Sequence, residues 1–462
     1  MIPTDARAFT KDRKRWRVHT PIEQILVLLG PSKTSDLQSA CLRFRLRVCS
    51  QGVGPPRSPP TAHPENHVTA SPLVIIFITV FIDLLGFGIV IPFLPLFAEH
   101  LGGTPFVAAL LGTAYAAMQL VFAPIWGRLS DRVGRRPIIV GTLAASVAAY
   151  LFLGLAGSVS ALFAARLLAG IASGNIPTAQ AYIADSTPAH ERARGMGLIG
   201  AAFGLGFVLG PAIGGVLSRH DPALPAQVTA GLAAANCVWA YFSLPESLRR
   251  GEAAESRFRP GRFHRLTQAL RSPGLAPLLL LVFVVRFAFA AMEWTFPFFL
   301  KRQLGFSFMQ IGLILAYTGV LMAFTQGILV GRMTRALGER ALVVTGTFVM
   351  ALGFALVPLA SGTRGLLGLL AILAVGAGLN SPSLTSLISQ TGAADAQGGV
   401  LGVSQSLSSL AMILGPAWGG FSFDHFGIHV PLVSSGALLA AACAIGLLAI
   451  PRAPLARPAK AE

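Results

Sequence analysis

The sequence GRLSDRVGRRP at residues 127–137 decides the fold, because a related stretch, GRMTRALGER at 331–340, follows it 204 residues later. The two stretches align without a gap. A second pair, LGPAIGG at 209–215 and LGPAWGG at 414–420, aligns with an offset of 205 residues. The two pairs lie at separate places in the chain and have nearly the same offset, which indicates that the chain consists of two similar halves.

Apolar stretches of about 20 residues recur from residue 72 onward, and each is long enough to cross a hydrocarbon core of roughly 30 Å as a helix. A segment inside a bilayer must satisfy its backbone polar groups internally, which favours helices. The sequence therefore predicts an all-α integral membrane protein with twelve transmembrane helices. The predicted spans, numbered 1 to 12, are residues 72–97, 104–126, 138–158, 161–184, 196–217, 224–244, 274–298, 307–330, 341–360, 365–390, 398–420 and 430–450.

The composition excludes a soluble protein. Of the 462 residues 53% are hydrophobic and 12% are charged, whereas about a quarter of the residues of a soluble domain are charged. The formal net charge of +17 would suggest nucleic-acid binding in a soluble protein. In a membrane protein Arg and Lys collect in cytoplasmic loops, so we expect the lipid bilayer as a partner and no nucleic acid.

The positive charges also predict the orientation and the domains. With the N-terminus in the cytoplasm, nineteen Arg and Lys fall in inside loops or the C-terminal tail and four fall outside. Both termini are then cytoplasmic, in the plasma (inner) membrane. The predicted domains are an N-terminal six-helix bundle at 72–245, a cytoplasmic central loop at 246–273, a C-terminal six-helix bundle at 274–450 and a cytoplasmic tail at 451–462.

Residues 1–71 differ in composition from everything that follows. They carry eleven Arg and Lys and the Pro-rich stretch PPRSPPTAHP, which is typical of a disordered extension. The acidic residues Asp5, Asp12, Glu23 and Asp36 argue against an organellar targeting segment of the acidic-poor type. Two interpretations stay open: a disordered basic extension, or an artefact of the choice of start site.

Neither a metal site nor an enzyme signature is found in the sequence. The four cysteines show no metal-ligand spacing, so we expect no metal. No phosphate-binding loop, H-E-x-x-H or G-x-S-x-G motif occurs. We therefore do not expect an enzyme.

The loop at 127–137 resembles the signature loop of the Major Facilitator Superfamily, G-x-L-a-D-r-x-G-r-r. Gly134 allows the tight turn. The resemblance implies two pseudo-symmetric six-helix bundles, which repeated transporter halves form. The alternative is that these Arg residues only set the orientation. The expected cytoplasmic gate consists of Gly127, Asp131, Gly134, Arg135, Arg136 and Asp185.

In this family the gate acts as a latch between the bundles. The resemblance implies that Asp131 and Arg135 form the latch and that Arg135 pairs with Asp185, an acid at the end of span 4. The second copy of the loop has Arg335 where the first has Asp131. We therefore expect only one intact latch.

Predicted span 5 resembles the motif of the proton-coupled antiporters of this family. Small residues let helices approach closely, and a proline is tolerated where neighbouring groups satisfy the freed backbone. The alternative is plain helix packing, since Gly and Pro are common in membrane helices. The motif residues are Gly206, Gly210, Pro211, Gly214 and Gly215.

Four charged residues lie within the predicted spans: Asp83 in span 1, Arg166 in span 4, and Arg286 and Glu293 in span 7. At a helix centre each charged residue makes the free energy of membrane insertion less favourable by roughly 2.5 to 3.5 kcal/mol on the translocon scale. They should therefore face a cavity or one another. The family resemblance implies that spans 1, 4, 7 and 10 line a central cavity, so all four residues are candidates for proton coupling or substrate contact.

Asp83 is the expected proton site. Burial favours the neutral form of a carboxyl group and a nearby cation favours the charged form, so a moving cation or substrate can change its protonation. Arg166 matches the arginine of the family's span 4 motif, which implies a role in this coupling. The alternative is a static ion pair between the two. For Glu293, a substrate contact, a second proton site and a static pair with Arg286 all stay open.

Together these motifs look like the twelve-span drug:proton antiporters, closest to the tetracycline-resistance efflux group. The resemblance implies a proton-driven exporter of small amphipathic compounds that takes its energy from the proton gradient without a cofactor. The tetracycline pumps carry a further acid in span 3, which this chain lacks, so the resemblance does not support tetracycline itself as substrate. Alternatives are a metabolite or sugar symporter or facilitator, and a transporter-like receptor. We expect a monomer.

Overall fold

The computed structural model describes residues 72–187, 192–247, 274–391 and 397–449, and all regular elements in these ranges are helices. We call 72–247 the first half and 274–449 the second half. The first half contains α1 Pro72–Val90, α2 Leu94–His100, α3 Pro105–Val133, α4 Arg135–Gly154, α5 Val159–Ala172, α6 Asn175–Ser186, α7 Arg192–Ser218 and α8 Leu224–Ser243.

The second half begins with a long helix that corresponds to predicted span 7. A π-helical turn, Thr325–Leu329, joins α10 to α11, and a short 3-10 turn, Val357–Leu359, follows α12. The helices are α9 Ala276–Leu304, α10 Phe308–Phe324, α11 Val330–Leu337, α12 Glu339–Leu356, α13 Thr363–Thr391, α14 Gln397–Phe426 and α15 Val430–Ala449.

Eleven helical segments of the described residues are long and apolar enough to cross a membrane. They correspond to eleven of the twelve predicted spans, which confirms an all-helical membrane protein. Predicted span 6 forms the 20-residue helix α8 but is not among the eleven, so the count of twelve stays a prediction. The predicted N-terminal extension, most of the central loop and the C-terminal tail lie outside the described residues.

Corresponding helices of the two halves begin and end in the same way. The hydroxyl of Thr104 accepts a hydrogen bond from the backbone N–H of Val107 at the start of α3. Ser307 caps α10 likewise, in a capping box with Gln310. The helices α3 and α11, which continue predicted spans 2 and 8, then end at Gly134 and Gly338, with φ of 122° and 78°. Only glycine adopts such φ values readily, so the internal repeat extends to the backbone.

The helices pack through glycines at close approaches. α7 packs along α1, and α14 packs along α9 in the same way. A Cβ on Gly210 would lie 2.6 Å from the Cα of Gly88 in α1, so only hydrogen fits there. The halves contact each other where α7 meets α10 and where α3 meets α14. The small residues expected in span 5 therefore lie at helix contacts.

The remaining motif residues of span 5 have defined neighbours. Gly206 lies against the backbone of Leu84, and Gly214 lies against Ile89. Gly215 lies against the Cα of Gly312 in the other half. α7 continues through Pro211 to Ser218. The motif thus serves two contacts, one with α1 and one between the halves.

Candidate functional site

A small cavity lies between the two halves. The first half contributes residues of α1, α3 and α5, and the second half contributes residues of α9 and α14. Spans 1, 4 and 7 were expected at the cavity. Span 10 contributes no lining residue, while spans 2 and 11 do. The lining residues are Phe87, Ile91, Gly112, Tyr115, Ala116, Arg166, Ala290, Glu293, Trp294, Met412 and Pro416.

Arg166 is the cation of this cavity. It is buried, with 2% of its surface exposed, and its guanidinium lies 4.2 Å from the centre of the Tyr115 ring. Its Nε has no hydrogen-bond partner, and no described residue forms an ion pair with it. Desolvating an unpaired charge is unfavourable by several kcal/mol, and one cation–π contact offsets about 2 kcal/mol. The guanidinium is therefore undersatisfied.

Asp83 does not pair with Arg166. It is partly exposed on α1, and the polar side chain that interacts with its carboxyl group is that of Asn175, the first residue of α6. Asn175 also bonds through its Oδ1 to the N–H of Ile176. The static ion pair between Asp83 and Arg166, which was the alternative to proton coupling, is thus absent from the described structure. In the sequence Asn175 stands out only through the internal repeat, because it lies 205 residues before Asn380, the offset of the second aligned pair.

Arg286 and Glu293 lie on one side of α9, about two helical turns apart. No ion pair joins them in the described residues. Glu293 is half-buried and lines the cavity, whereas Arg286 is exposed. Of the three interpretations left open for Glu293, the static pair with Arg286 is therefore not found in this structure.

The signature loop forms a polar cluster within the first half. Arg135 is buried, and its Nε donates to Asp185 at 2.8 Å while its Nη1 donates to Asp131 and to Ser130. The structure thus places Arg135 between the two acids that the sequence singled out. The Asp131 side chain is 60% exposed, so it retains free acceptor capacity.

Sequence analysis missed Glu246, which completes this cluster. Its carboxylate accepts hydrogen bonds from the backbone N–H groups of Arg135 and Arg136 at 2.9 and 3.2 Å. These groups belong to the first turn of α4, where N–H groups lack helical partners and attract negative charge. Arg136 in turn donates to the carbonyl of Tyr241 in α8. Glu246 therefore ties the end of α8 to the start of α4. Gly127 faces open space.

The second half has a corresponding contact with different chemistry. Glu339 occupies the position of Arg135 in the repeat, and Gln390 occupies that of Asp185. The Glu339 carboxylate accepts from the Ser386 hydroxyl and from the Gln390 amide at 2.9 Å. Arg335, in the place of Asp131, bonds only to its own helix at Gly331. The second copy thus keeps a contact between the two helices, although its charges differ.

The opposite end of the helices is closed by ion pairs between the halves. Lys301 and Arg302 at the end of α9 donate to the Glu99 carboxylate on α2 at 2.7 and 3.0 Å. Nearby, the N–H of Phe106 donates to Asp424 at 3.0 Å. We call these contacts the Glu99 closure. Burial disfavours the charged form of Glu99. The hydrogen bonds and positive charges of Lys301 and Arg302 outweigh that effect and lower the pKa of the Glu99 carboxyl group below its usual value.

The contacts between the halves run from the cavity to the Glu99 closure. Next to the cavity, the Thr113 hydroxyl donates to the carbonyl of Ile413 at 2.8 Å. Toward the signature loop, glycines of α7 and of the α10–α11 segment, including Gly204 and Gly327, face open space. One sign of the closure was visible in the sequence, since Lys301 and Arg302 are two of the four cations expected in outside loops.

Comparison with known proteins gives one consistent family. The family model described as Major Facilitator Superfamily matches residues 76–416 and 295–462. The tetracycline resistance protein, class C, of Escherichia coli is 34% identical over 354 residues, which is 74% of this chain and 87% of that protein. Multidrug resistance protein 2 of Bacillus subtilis (strain 168) is 31% identical over 373 residues, 79% of this chain and 91% of that protein.

A solved structure is similar over the same region. The crystal structure of the human organic anion transporter MFSD10 (TETRAN) has a TM-score of 0.62 and 25% identity, and the match covers 81% of this chain and 98% of that one. A bacterial homologue of the lysosomal transporter Spinster, in an inward-facing and occupied conformation, has a TM-score of 0.70 at 16% identity and supports the fold alone.

Proposed function

Because this chain belongs to the Major Facilitator Superfamily, we propose that it is a proton-coupled exporter. Its relatives include tetracycline and multidrug resistance proteins. It exchanges protons for small amphipathic compounds by alternating access, without a cofactor. It works as a monomer in the plasma membrane with both termini in the cytoplasm. Its helices form two six-helix bundles, at 72–245 and 274–450, which correspond to the repeated halves.

The observation that carries the proposal is the state of the two carboxyl groups in the middle of the helices. Neither Asp83 nor Glu293 forms an ion pair in the described residues, although Arg166 and Arg286 lie on helices of the same region. A carboxyl group that is locked by a cation stays charged, whereas a free one responds to changes in burial. Asp83 and Glu293 are thus available to take up and release protons.

The Glu99 closure supports alternating access. Since the excess of Arg and Lys assigns the signature loop to the cytoplasm, the Glu99 closure faces the outside. The cavity is then closed to the outside in this conformation, and export requires that Glu99 separate from Lys301 and Arg302. The cluster of Asp131, Arg135 and Asp185 acts at the opposite, cytoplasmic end.

The test is substrate-induced proton release in everted vesicles. A pH-sensitive dye reports the gradient while lipophilic drugs are added to vesicles with the wild type, Asp83→Asn or the control Asp221→Asn, a change in an exposed loop. We expect some compounds to collapse the gradient with the wild type and the control but not with Asp83→Asn.

Other outcomes separate the parts of the proposal. If Asp83→Asn behaves like the wild type, Asp83 is structural and Glu293→Gln is tested next for coupling. If no compound moves protons through any of the proteins, the proton-coupled export proposal is wrong and a narrow metabolite carrier replaces it.

A further inference from the structure

We propose that Arg166 is the anion-binding group of the central cavity and that the exported compounds are aromatic molecules with one acidic group. The inference rests on the proposed transport function, because it names the class of compound that the cavity accepts. It depends on three observations: an unpartnered guanidinium, the lack of an ion pair between that guanidinium and the nearby acids among the described residues, and aromatic walls next to it.

The first observation is that Arg166 lines the cavity without a hydrogen-bond or ion-pair partner among the described residues. Buried arginines usually bind carboxylates or other acceptors, because the guanidinium offers five N–H donors in a planar fork. Burial leaves 2% of this residue exposed, so bulk water replaces those partners poorly. A ligand carboxylate would satisfy the donors that the protein leaves free.

The second observation concerns the acids that could neutralise Arg166 from within. Asp83 interacts with Asn175 instead. Glu293 lines the same cavity from the other half but makes no ion pair with Arg166. Glu293 attracts Arg166 through the cavity without binding it, so the N–H donors of the guanidinium stay available, and a second acidic group on a ligand would be repelled by Glu293.

The third observation is the shape of the walls. The Phe87 and Tyr115 rings lie 6.0 Å apart, and Tyr115 holds the guanidinium against its face. Trp294 packs onto Gly112, where a Cβ would overlap its indole ring. These rings line the same cavity as Arg166. The geometry thus presents a flat apolar site with one cationic end.

Three probes with the same ring system test this assignment: 2-naphthoate, the neutral 2-naphthamide and the cationic 2-naphthylmethylammonium. Binding to the purified full-length protein is measured by titration calorimetry. We expect 2-naphthoate to bind most tightly and to lose about tenfold or more in affinity in Arg166→Gln, as for the loss of charge-assisted hydrogen bonds. Arg166→Lys should recover part of the loss. The control Arg332→Gln, an exposed site, should change the affinity by less than about twofold.

Thermal unfolding without ligand distinguishes binding from a structural role. An arginine whose role is to bind a ligand does not stabilise the ligand-free protein. Arg166→Gln should therefore unfold at the same temperature as the wild type or at a higher one. A clearly lower midpoint would show that Arg166 holds the helices together and would overturn the assignment. Three other results would also overturn it: equal affinities for the three probes, an equal loss of affinity for all three probes in Arg166→Gln, or no binding of 2-naphthoate.

The vesicle assay separates this inference from the proposed function. If drugs release protons but 2-naphthoate neither binds nor releases them, export stands and the anion assignment is wrong. If 2-naphthoate binds through Arg166 but no compound releases protons, the binding site stands and proton-coupled export is wrong.

Discussion

Neutralising Glu99 should open the end of the molecule that the Glu99 closure holds shut. In Glu99→Gln the carboxylate that accepts from Lys301 and Arg302 becomes an uncharged amide. Both charge-assisted hydrogen bonds are short, at 2.7 and 3.0 Å. Because they connect the two halves, their loss acts on the equilibrium between the closed and open conformations and leaves each half intact.

The size of the effect follows from exposure. Glu99 is 24% exposed, while Lys301 and Arg302 are 47% and 42% exposed, so solvent screens both pairs. Exposed ion pairs contribute about 0.2–1 kcal/mol each, and we take the middle of that range for each pair. The total of about 1 kcal/mol corresponds to a roughly fivefold shift toward the open conformation. High salt should reproduce part of this shift in the wild type.

The assay is a distance measurement between spin labels at Asp221 and Ser361, exposed positions in loops at the Glu99 end of the first and second halves. The labels are introduced after replacement of the four native cysteines. Glu99→Gln should enrich the longer distances. Glu339→Gln removes an acid at the opposite end and should leave the distribution unchanged. If Glu99→Gln gives the wild-type distribution and shows no coupling to Lys301→Gln in a double-mutant cycle, the closure does not hold this conformation.

The same distances should depend on pH in a defined direction. The closed conformation lowers the pKa of Glu99, so it gains stability above the ordinary glutamate pKa of roughly 4.3. That gain is lost as the pH falls through the lowered pKa. Acidification below about pH 4 should therefore open the wild type toward the distribution of Glu99→Gln, and Glu99→Gln itself should lose this response.

Three further substitutions test the packing by thermal unfolding in detergent. Gly134→Ala should destabilise the protein by about 1–3 kcal/mol, because φ is positive and the new Cβ meets the Glu246 carboxylate. Gly338→Ala should destabilise it less, because φ is positive there too but the Cβ would lie in open space. Equal effects of the two substitutions would contradict the steric argument. Gly210→Ala should destabilise by about 1–3 kcal/mol through overpacking against α1, whereas Gly204→Ala, in open space, should be neutral or stabilising. Glu246→Gln should lower stability by about 0.5–2 kcal/mol, as for loss of a helix cap, and an unchanged midpoint would show that the first turn of α4 does not need the charge.

Much of the fold could be predicted from the sequence, because hydropathy and length report whether a segment suits the bilayer. The family and the positions of eleven spans followed from such local properties. Predicted span 4 nevertheless divides at residues 173 and 174 into α5 and α6. Pro177 marks this break, because it has no N–H to bond to the carbonyl of Ser173.

The pairing of side chains could be predicted less well, because it depends on helix rotation and on the conformational state. Arg135 and Asp185 do lie together. The charges of spans 1, 4 and 7, by contrast, were expected to face a cavity or one another, and the sequence did not indicate that Asp83 interacts with Asn175. Glu246 and Glu99 bond across 111 and 202 residues of sequence, and no local pattern connects their partners.

The π-helical turn of the second half has a consequence for how the two halves diverged. The N-terminal caps Thr104 and Ser307 are 203 residues apart, but the glycines that end the same two spans, Gly134 and Gly338, are 204 apart. The second-half span is therefore one residue longer, 30 residues against 29. A π turn accommodates one additional residue within an α-helix, and the turn at Thr325–Leu329 lies between the two landmarks. The insertion was thus absorbed inside the helix, and both ends kept their geometry.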